Sequence, residues 1–305
     1  MRIGIHGGIS GRQPNAVDEM VSTARTALDA GLAFWVPQLS DVDALTALAA
    51  VGREVPDVEL GTAVVPTYPR HPLVMAMQAL TVQAATRGRL TLGIGLSHRI
   101  VIEGAYGLSF DKPVRHMREY LEILMPVLQT GRVDFTGEEL SAHTFSPVRV
   151  GDAEAPQVVV AALGTQMLNL AGRLADGTAL WMVGPRTLAD HVVPTITKAA
   201  EAAGRPAPKV VVGLPVSVTA DPDAARENAA ATLTIYNSLP SYRAMLDKEG
   251  AGGPADVAIV GDEESVAAQL HNLESLGATD LSLPVFGSSE ERSRTMALLA
   301  DLAKR

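Results

Sequence analysis

Residues 158–167 read Val-Val-Val-Ala-Ala-Leu-Gly-Thr-Gln-Met. Apolar residues run together without alternation, a glycine interrupts them, and a segment of helical period begins. A strand wetted on one face alternates polar with apolar. An unbroken apolar run is how a strand buried on both faces reads, as in a parallel sheet covered by helices. The same strand-then-helix unit repeats in both directions from this point. Arg2–His6, Ala33–Pro37, Glu59–Val65 and Leu90–Leu96 precede it, and Ala179–Val183, Val210–Val218 and Leu281–Phe286 follow. Helical periods lie between them at 15–30, from a cap at Ser40 or Asp41 to Arg53, from Pro72 onward, and at 165–175, 187–203, 223–238 and 262–275. Eight such units predict an α/β fold, a (β/α)8 TIM barrel, with an open doubly wound sheet as the alternative. Two stretches interrupt the rhythm and predict insertions after strands 4 and 7. Residues 97–157 hold a helix near 116–129 and a hairpin around 133–145, and the polar, glycine-rich 236–259 reads as a flap. Neither shifts in composition, so one domain is expected over residues 1–305.

The 305 residues, 47% of them hydrophobic, are ample to bury a core. Twenty-five basic against thirty-four acidic residues leave a net charge of −9, with no basic cluster. Nucleic-acid binding through phosphate neutralisation needs the opposite balance. The absence of cysteine excludes disulfides, iron–sulfur clusters and thiolate zinc sites. Seven histidines form no i,i+4 pair, so no metal site is signalled. No apolar run approaches the roughly 20 residues of a membrane span, and the first residues lack an apolar signal region. A cytoplasmic enzyme acting on a small molecule, away from membranes and nucleic acid, is the expectation.

In a (β/α)8 barrel the chemistry sits at the carboxyl ends of the strands. Gly164 and Thr165 open a helix there, where free amides and the helix dipole suit a phosphate; an ordinary strand–helix turn is the competing reading. Pro66, Pro69 and Pro72 stiffen the loop after the third strand, either as a rigid connection or as a wall for a flat ring. Gly93-Ile94-Gly95 starts like a dinucleotide fingerprint, but His98 stands where the third glycine belongs. His98 follows the fourth strand, and an imidazole suits proton transfer near neutrality. Gln38 ends the second strand, His6 the first and Trp181 the sixth; Tyr242 lies in the flap. Asp262, Glu263 and Glu264 are read as complements to a helix dipole.

Taken together, several strings resemble the bacterial-luciferase-like superfamily, and within it the branch that uses the deazaflavin coenzyme F420. They are Leu60-Gly61-Thr62-Ala63-Val64 with Arg70-His71-Pro72, residues 88–95 (Gly-Arg-Leu-Thr-Leu-Gly-Ile-Gly), and Ala161-Ala162-Leu163-Gly164-Thr165. Residues 118–124 and 170–177 extend the likeness, which thins after about residue 220. The resemblance implies a cis peptide bond at Ala63–Val64 behind the ring of the cofactor. It implies cofactor contacts at Ala63, Val64, Thr67, Ala162, Leu163, Gly164, Thr165, Gln166 and Met167. Gln38 falls where the family places a polar group beside the ring, although relatives acting on alcohols or sugar phosphates carry an acid and a histidine at that end. Catalysis is then expected from His98 and Gln38, with His6, Trp181 and Tyr242 lining the substrate pocket.

The activity implied is hydride transfer between the deazaflavin and a small organic substrate. The alternatives are a flavin (FMN)-dependent monooxygenase and a non-catalytic flavin-binding relative. Dimers are common in the family, and Leu45, Leu48, Val74, Met75 and Met77 supply apolar surface to two neighbouring helices, so a homodimer is expected.

Overall fold

Eight parallel strands close on themselves in a computed structural model, which describes residues 1–8 and 13–304. They are β1 (Arg2–His6), β2 (Ala33–Val36), β3 (Leu60–Thr62), β4 (Leu90–Gly95), β5 (Gln157–Ala161), β6 (Gly177–Trp181), β7 (Lys209–Gly213) and β8 (Asp280–Leu283). Each pairs in parallel with the next, and β8 returns to β1 through Arg2 opposite Asp280 and Gly4 opposite Ser282. This is the expected TIM barrel. Odd and even residues divide the work. Ile3, Ile5, Phe34, Val36, Val158 and Val160 face outward into the large core under the helices. Ala33, Trp35, Val159, Ala179 and Val211 face inward and form a second, smaller core with Ala63 and Val64.

The interior is filled chiefly by one side chain. The Trp35 indole lies so close over Gly4 and Gly61 that a Cβ on either strand would collide with it; at Gly4 the approach would be 2.7 Å to Nε1. Glycine at both positions lets a large ring enter a narrow barrel, where packing at near-crystalline density leaves no slack. Charges close the amino-terminal end. Asp280 is 3.3 Å from Lys209 Nζ and 3.9 Å from Arg2, which also reaches Glu59.

Three local details depart from the sequence reading. The second helix, Ala44–Glu54, is capped by Asp43, whose carboxylate accepts from Thr46 N at 2.9 Å, whereas Asp41 bonds to the adjacent Val42 N. The expected strand 210–218 is two strands. Pro215 cannot donate to the ladder, and Val216–Val218 leaves the barrel to pair with Ile259–Gly261. The stretch 236–259 is largely helical, with Ile235–Ser238 and Pro240–Glu249.

The insertions stand where they were expected. After β4 come the helices Arg99–Gly104 and Pro113–Thr130 and the antiparallel pair Asp134–Thr136 with Ser141–His143. The buried carboxylate of Glu119 fastens this hairpin by accepting N–H groups of Glu138, Glu139 and Leu140. After β7, Glu249 accepts from Arg186 N and Thr187 N, at 3.1 and 2.7 Å, tying the helix Pro240–Glu249 to the loop beyond β6. Leu45, Leu48 and Met75 are buried within the chain, and of the five residues proposed for a shared face only Val74 and Met77 are exposed. Among the described residues no helix is long and apolar enough to cross a membrane.

Trp35→Ala should cost about 3–5 kcal/mol, the range for truncating a buried aromatic ring. Urea unfolding of the two proteins measures it. A loss below about 1 kcal/mol would mean that the indole does not fill the barrel.

Candidate active site

The carboxyl ends of the strands open on one side, and the inward-facing residues there make the candidate site. The backbone leaves the barrel ladder after Thr62, and the Ala63–Val64 peptide bond is cis. Val65–Pro66 then pairs with Ile94 and Gly95 of β4. Between these points the Val64 side chain lies over β4. A Cβ on Gly95 would fall 2.7 Å from Val64 Cγ2 and 3.0 Å from Ala161 Cβ, and one on Gly93 would fall 3.1 Å from Val64 Cγ1. A bare strand therefore seats the valine, giving the mouth an apolar floor continuous with the Trp35 cluster.

Beside that floor, β5 runs into the helix Thr165–Leu174. Gly164 caps this helix without a side-chain bond, and the first intrahelical bond is Leu168 N to Gly164 O at 3.0 Å. The amides of Thr165, Gln166 and Met167 thus precede the helix's own ladder and carry the positive end of its dipole. Gly164 has φ −81° and ψ 155°, and a Cβ there would meet nothing within 4 Å. Gly164, Thr165 and Gln166 are exposed, whereas the side chains of Ala162 and Met167 are buried. The Leu163 carbonyl accepts from His191 Nε2 at 2.8 Å. His191 escaped the sequence reading because it lies in a later helical turn, with no spacing that links it to residue 163.

A connected series of rings also stands at this end of the barrel, beginning at the ends of β1 and β6. His6 stacks on Trp181 with centroids 5.8 Å apart and planes 19° from parallel. Trp181 meets Tyr236 edge-on at 5.9 Å, Tyr236 meets Tyr242 at 4.9 Å, and Tyr242 meets His98 at 5.8 Å. Four residues picked from strand ends and the polar stretch, His6, Trp181, Tyr242 and His98, therefore join one surface. Tyr236 completes it; the available signal was a pair of aromatics in an otherwise polar segment. Burial lowers the His6 pKa to about 4 and lowers that of His98, so both imidazoles are neutral near pH 7. Burial likewise raises the phenols of Tyr236 and Tyr242.

Two expected site residues are committed elsewhere. Thr67 is fully buried, with Oγ1 3.1 Å from His116 Nε2, so its hydroxyl faces the core and not the mouth. His116 in turn stacks on Tyr68 with ring centroids 3.9 Å apart. Gln38 stays at the rim, but its Oε1 accepts from Arg70 Nη1 at 3.1 Å and Ala44 N at 3.2 Å. Only the amide nitrogen of that side chain is left for a ligand. Arg70 in turn is paired with Asp43. Asp262 caps the helix Glu263–Ser275 by accepting from Ser265 N, whereas Glu263 pairs with Arg294 of the last helix at 2.9 Å.

The family model for luciferase-like monooxygenases matches residues 2–280. The chain belongs to that family. An uncharacterized protein of Mycobacterium tuberculosis is 28% identical over 97% of both chains. An F420-dependent glucose-6-phosphate dehydrogenase of Mycolicibacterium fortuitum is 30% identical, over 59% of this chain and 56% of that one. The fold superposes on the coenzyme F420-dependent tetrahydromethanopterin reductase of Methanopyrus kandleri with a TM-score of 0.80 at 20% identity, covering 98% and 96% of the chains. It also matches the FMN complex of a type II Baeyer–Villiger monooxygenase from Pseudomonas putida, with a TM-score of 0.77 at 16% identity over 100% and 97%. The luciferase-like barrel therefore serves both deazaflavin and flavin proteins.

The buried imidazoles make acid stability a readout of this packing. Burial also lowers His116 to about 4, against a partly opposing effect of Glu119. An unfolded histidine takes up its proton near pH 6.5, so between pH 6.5 and 4 the unfolded chain binds more protons and stability falls as the pH falls. For His116 the full effect is about 3 kcal/mol by pH 4, at ~1.4 kcal/mol per unit. Unfolding midpoints measured from pH 7 to 4.5 should drop in the parent and drop less steeply in His116→Asn. An equal slope in both would contradict the burial of a neutral His116.

Proposed function

We propose that this member of the family is an oxidoreductase that seats coenzyme F420 in the barrel mouth and exchanges a hydride with a small organic substrate. The observation that carries the reading is the juxtaposition of Val64, held over bare β4, with the open amide end at Gly164. A flat ring system needs apolar backing without competing hydrogen bonds, and its phosphate needs amide donors a side chain does not already occupy. Both are present, Val64 after β3 and the amides after β5 on either side of β4, so the residues fit the group. Bound there, the deazaflavin supplies hydride donation and acceptance.

The protein's part is positioning. Ala63 and Val64 back the ring, and the amides of Thr165, Gln166 and Met167 take the phosphate, with Ala162, Leu163 and Gly164 shaping the turn. The ring wall shields the mouth from water. His98, neutral near pH 7, is the proposed proton-exchanging group beside the ring, and the Gln38 amide nitrogen a donor at its edge. Thr67 is assigned no side-chain contact with the cofactor in this reading, because its Oγ1 lies against His116. Pairing of two copies through Val74 and Met77 belongs to the same proposal. A second reading, an FMN-dependent monooxygenase, is supported by the close fold match to the FMN complex. Chemistry separates the two, since a deazaflavin lacks the ring nitrogen that supports oxygen activation.

Titration of the protein with each cofactor, followed by fluorescence, should give tight binding of F420 and weaker binding of FMN. Tighter binding of FMN would overturn the choice. Gly164→Val should weaken F420 binding at least tenfold while costing no more than about 1 kcal/mol of stability, because the extended backbone there suits any residue and an added Cβ meets no protein atom within 4 Å. Unchanged affinity in a folded variant would remove the phosphate from this turn.

A further inference from the structure

Two ring nitrogens of the wall, His6 Nε2 and Trp181 Nε1, are buried without a hydrogen-bond partner among the described residues, and of the two only the imidazole can accept as well as donate. Leaving such a nitrogen unpaired costs about 1–3 kcal/mol, and buried polar atoms nearly always find partners. A ligand at the carboxyl end of the barrel would supply the missing partner. The imidazole nitrogen also has a defined setting. His6 lies against Trp181, and the indole leans over Gly213 of β7, where a Cβ would fall 3.0 Å from its Cε3. Tyr236 meets the indole edge-on, so the nitrogen stands at the foot of an aromatic wall.

Charge is sparse on this side. Arg70 is neutralised by Asp43, and Arg99 by Glu103 at 2.5 Å and Asp111 at 3.8 Å. Among the described residues, the wall from His6 to Tyr242 contains rings and no cation. We infer that the substrate is an uncharged alcohol or carbonyl compound with an apolar body, whose reacting oxygen hydrogen-bonds His6 Nε2 while its body lies along Trp181 and Tyr236. This rests on the oxidoreductase reading above and moves the proton exchange proposed there for His98 to His6: Nε2 takes the hydroxyl proton when an alcohol is oxidised and returns one to the oxygen when a carbonyl is reduced, leaving His98 at the far end of the wall. Burial that keeps the imidazole neutral agrees with it, because a neutral ring pairs with an uncharged oxygen without drawing in anions.

The test uses the full chain with 15N-labelled histidine, with and without F420. Two probes are titrated: cyclohexanol, uncharged and apolar, and glucose 6-phosphate, polar and anionic. The His6 resonance is assigned by its loss in His6→Phe, which keeps a ring against Trp181 and removes Nε2. Cyclohexanol should shift the His6 Nε2 signal more than the His98 signal, and His6→Phe should bind cyclohexanol at least tenfold more weakly with F420 affinity unchanged. His6→Gln, which restores a polar group, should recover part of the loss and serves if the Phe variant fails to fold. The inference is overturned if glucose 6-phosphate and not cyclohexanol shifts Nε2, if neither does, or if His6→Phe binds cyclohexanol as the parent does. The F420 titration on the same samples separates the two readings. Loss of F420 binding with the Nε2 shift intact would reject the cofactor and keep the substrate site.

Discussion

The indole of Trp35 lies across the inside of the barrel, over strands that carry glycine where it passes, and the rest of the molecule is arranged around that fact. Eight parallel strands with two apolar faces can close only if the space inside is filled. Here the filling is asymmetric. Trp35 with Ala33, Val159, Ala179 and Val211 packs the interior, and Asp280 with Lys209 and Arg2 closes the amino-terminal end. The carboxyl end keeps small residues on β4, and the Val64 side chain rests there as a floor. Core packing and the shape of the mouth are thus one problem, because the glycines of β4 are what admit the Val64 side chain.

The parts of this design that could be read from the sequence are those set by local pattern. Unbroken apolar runs such as Val158–Ala162 gave strand positions to within a few residues, since burial on both faces leaves no alternation to confuse. The turn at Gly164 was legible because a strand end, a glycine and a helix start follow one another in the chain. What was missed depends on contacts distant in sequence. Pro215 broke an apparently continuous strand, Asp43 capped a helix that Ser40 or Asp41 could equally have begun, and Thr67 turned its hydroxyl to His116, 49 residues away. Tyr236 joined the site through the fold of an insertion whose polarity read as a flap. Residue types near strand ends mark candidates; only the packing decides which of them face the mouth.

Two surfaces of the mouth differ in chemistry. Val64 and the amides after Gly164 form a surface suited to a flat group with an anionic tail, and the rings from His6 to His98 form an apolar wall with imidazoles at its ends. The arginines near the rim, Arg70 and Arg99, are held by carboxylates. With a net charge of −9 on the whole chain, the proposed anionic cofactor would depend on local amide dipoles and not on an attractive field, since over distances beyond about 8–10 Å salt screens the remainder.

Diffraction from crystals of the protein grown with F420 tests the central claim most directly. The account predicts the deazaflavin ring against Val64, its phosphate on the amides of Thr165, Gln166 and Met167, and open space between the ring and the His6–Trp181 wall. A ring bound away from Val64, or a phosphate held elsewhere than the turn at Gly164, would contradict it.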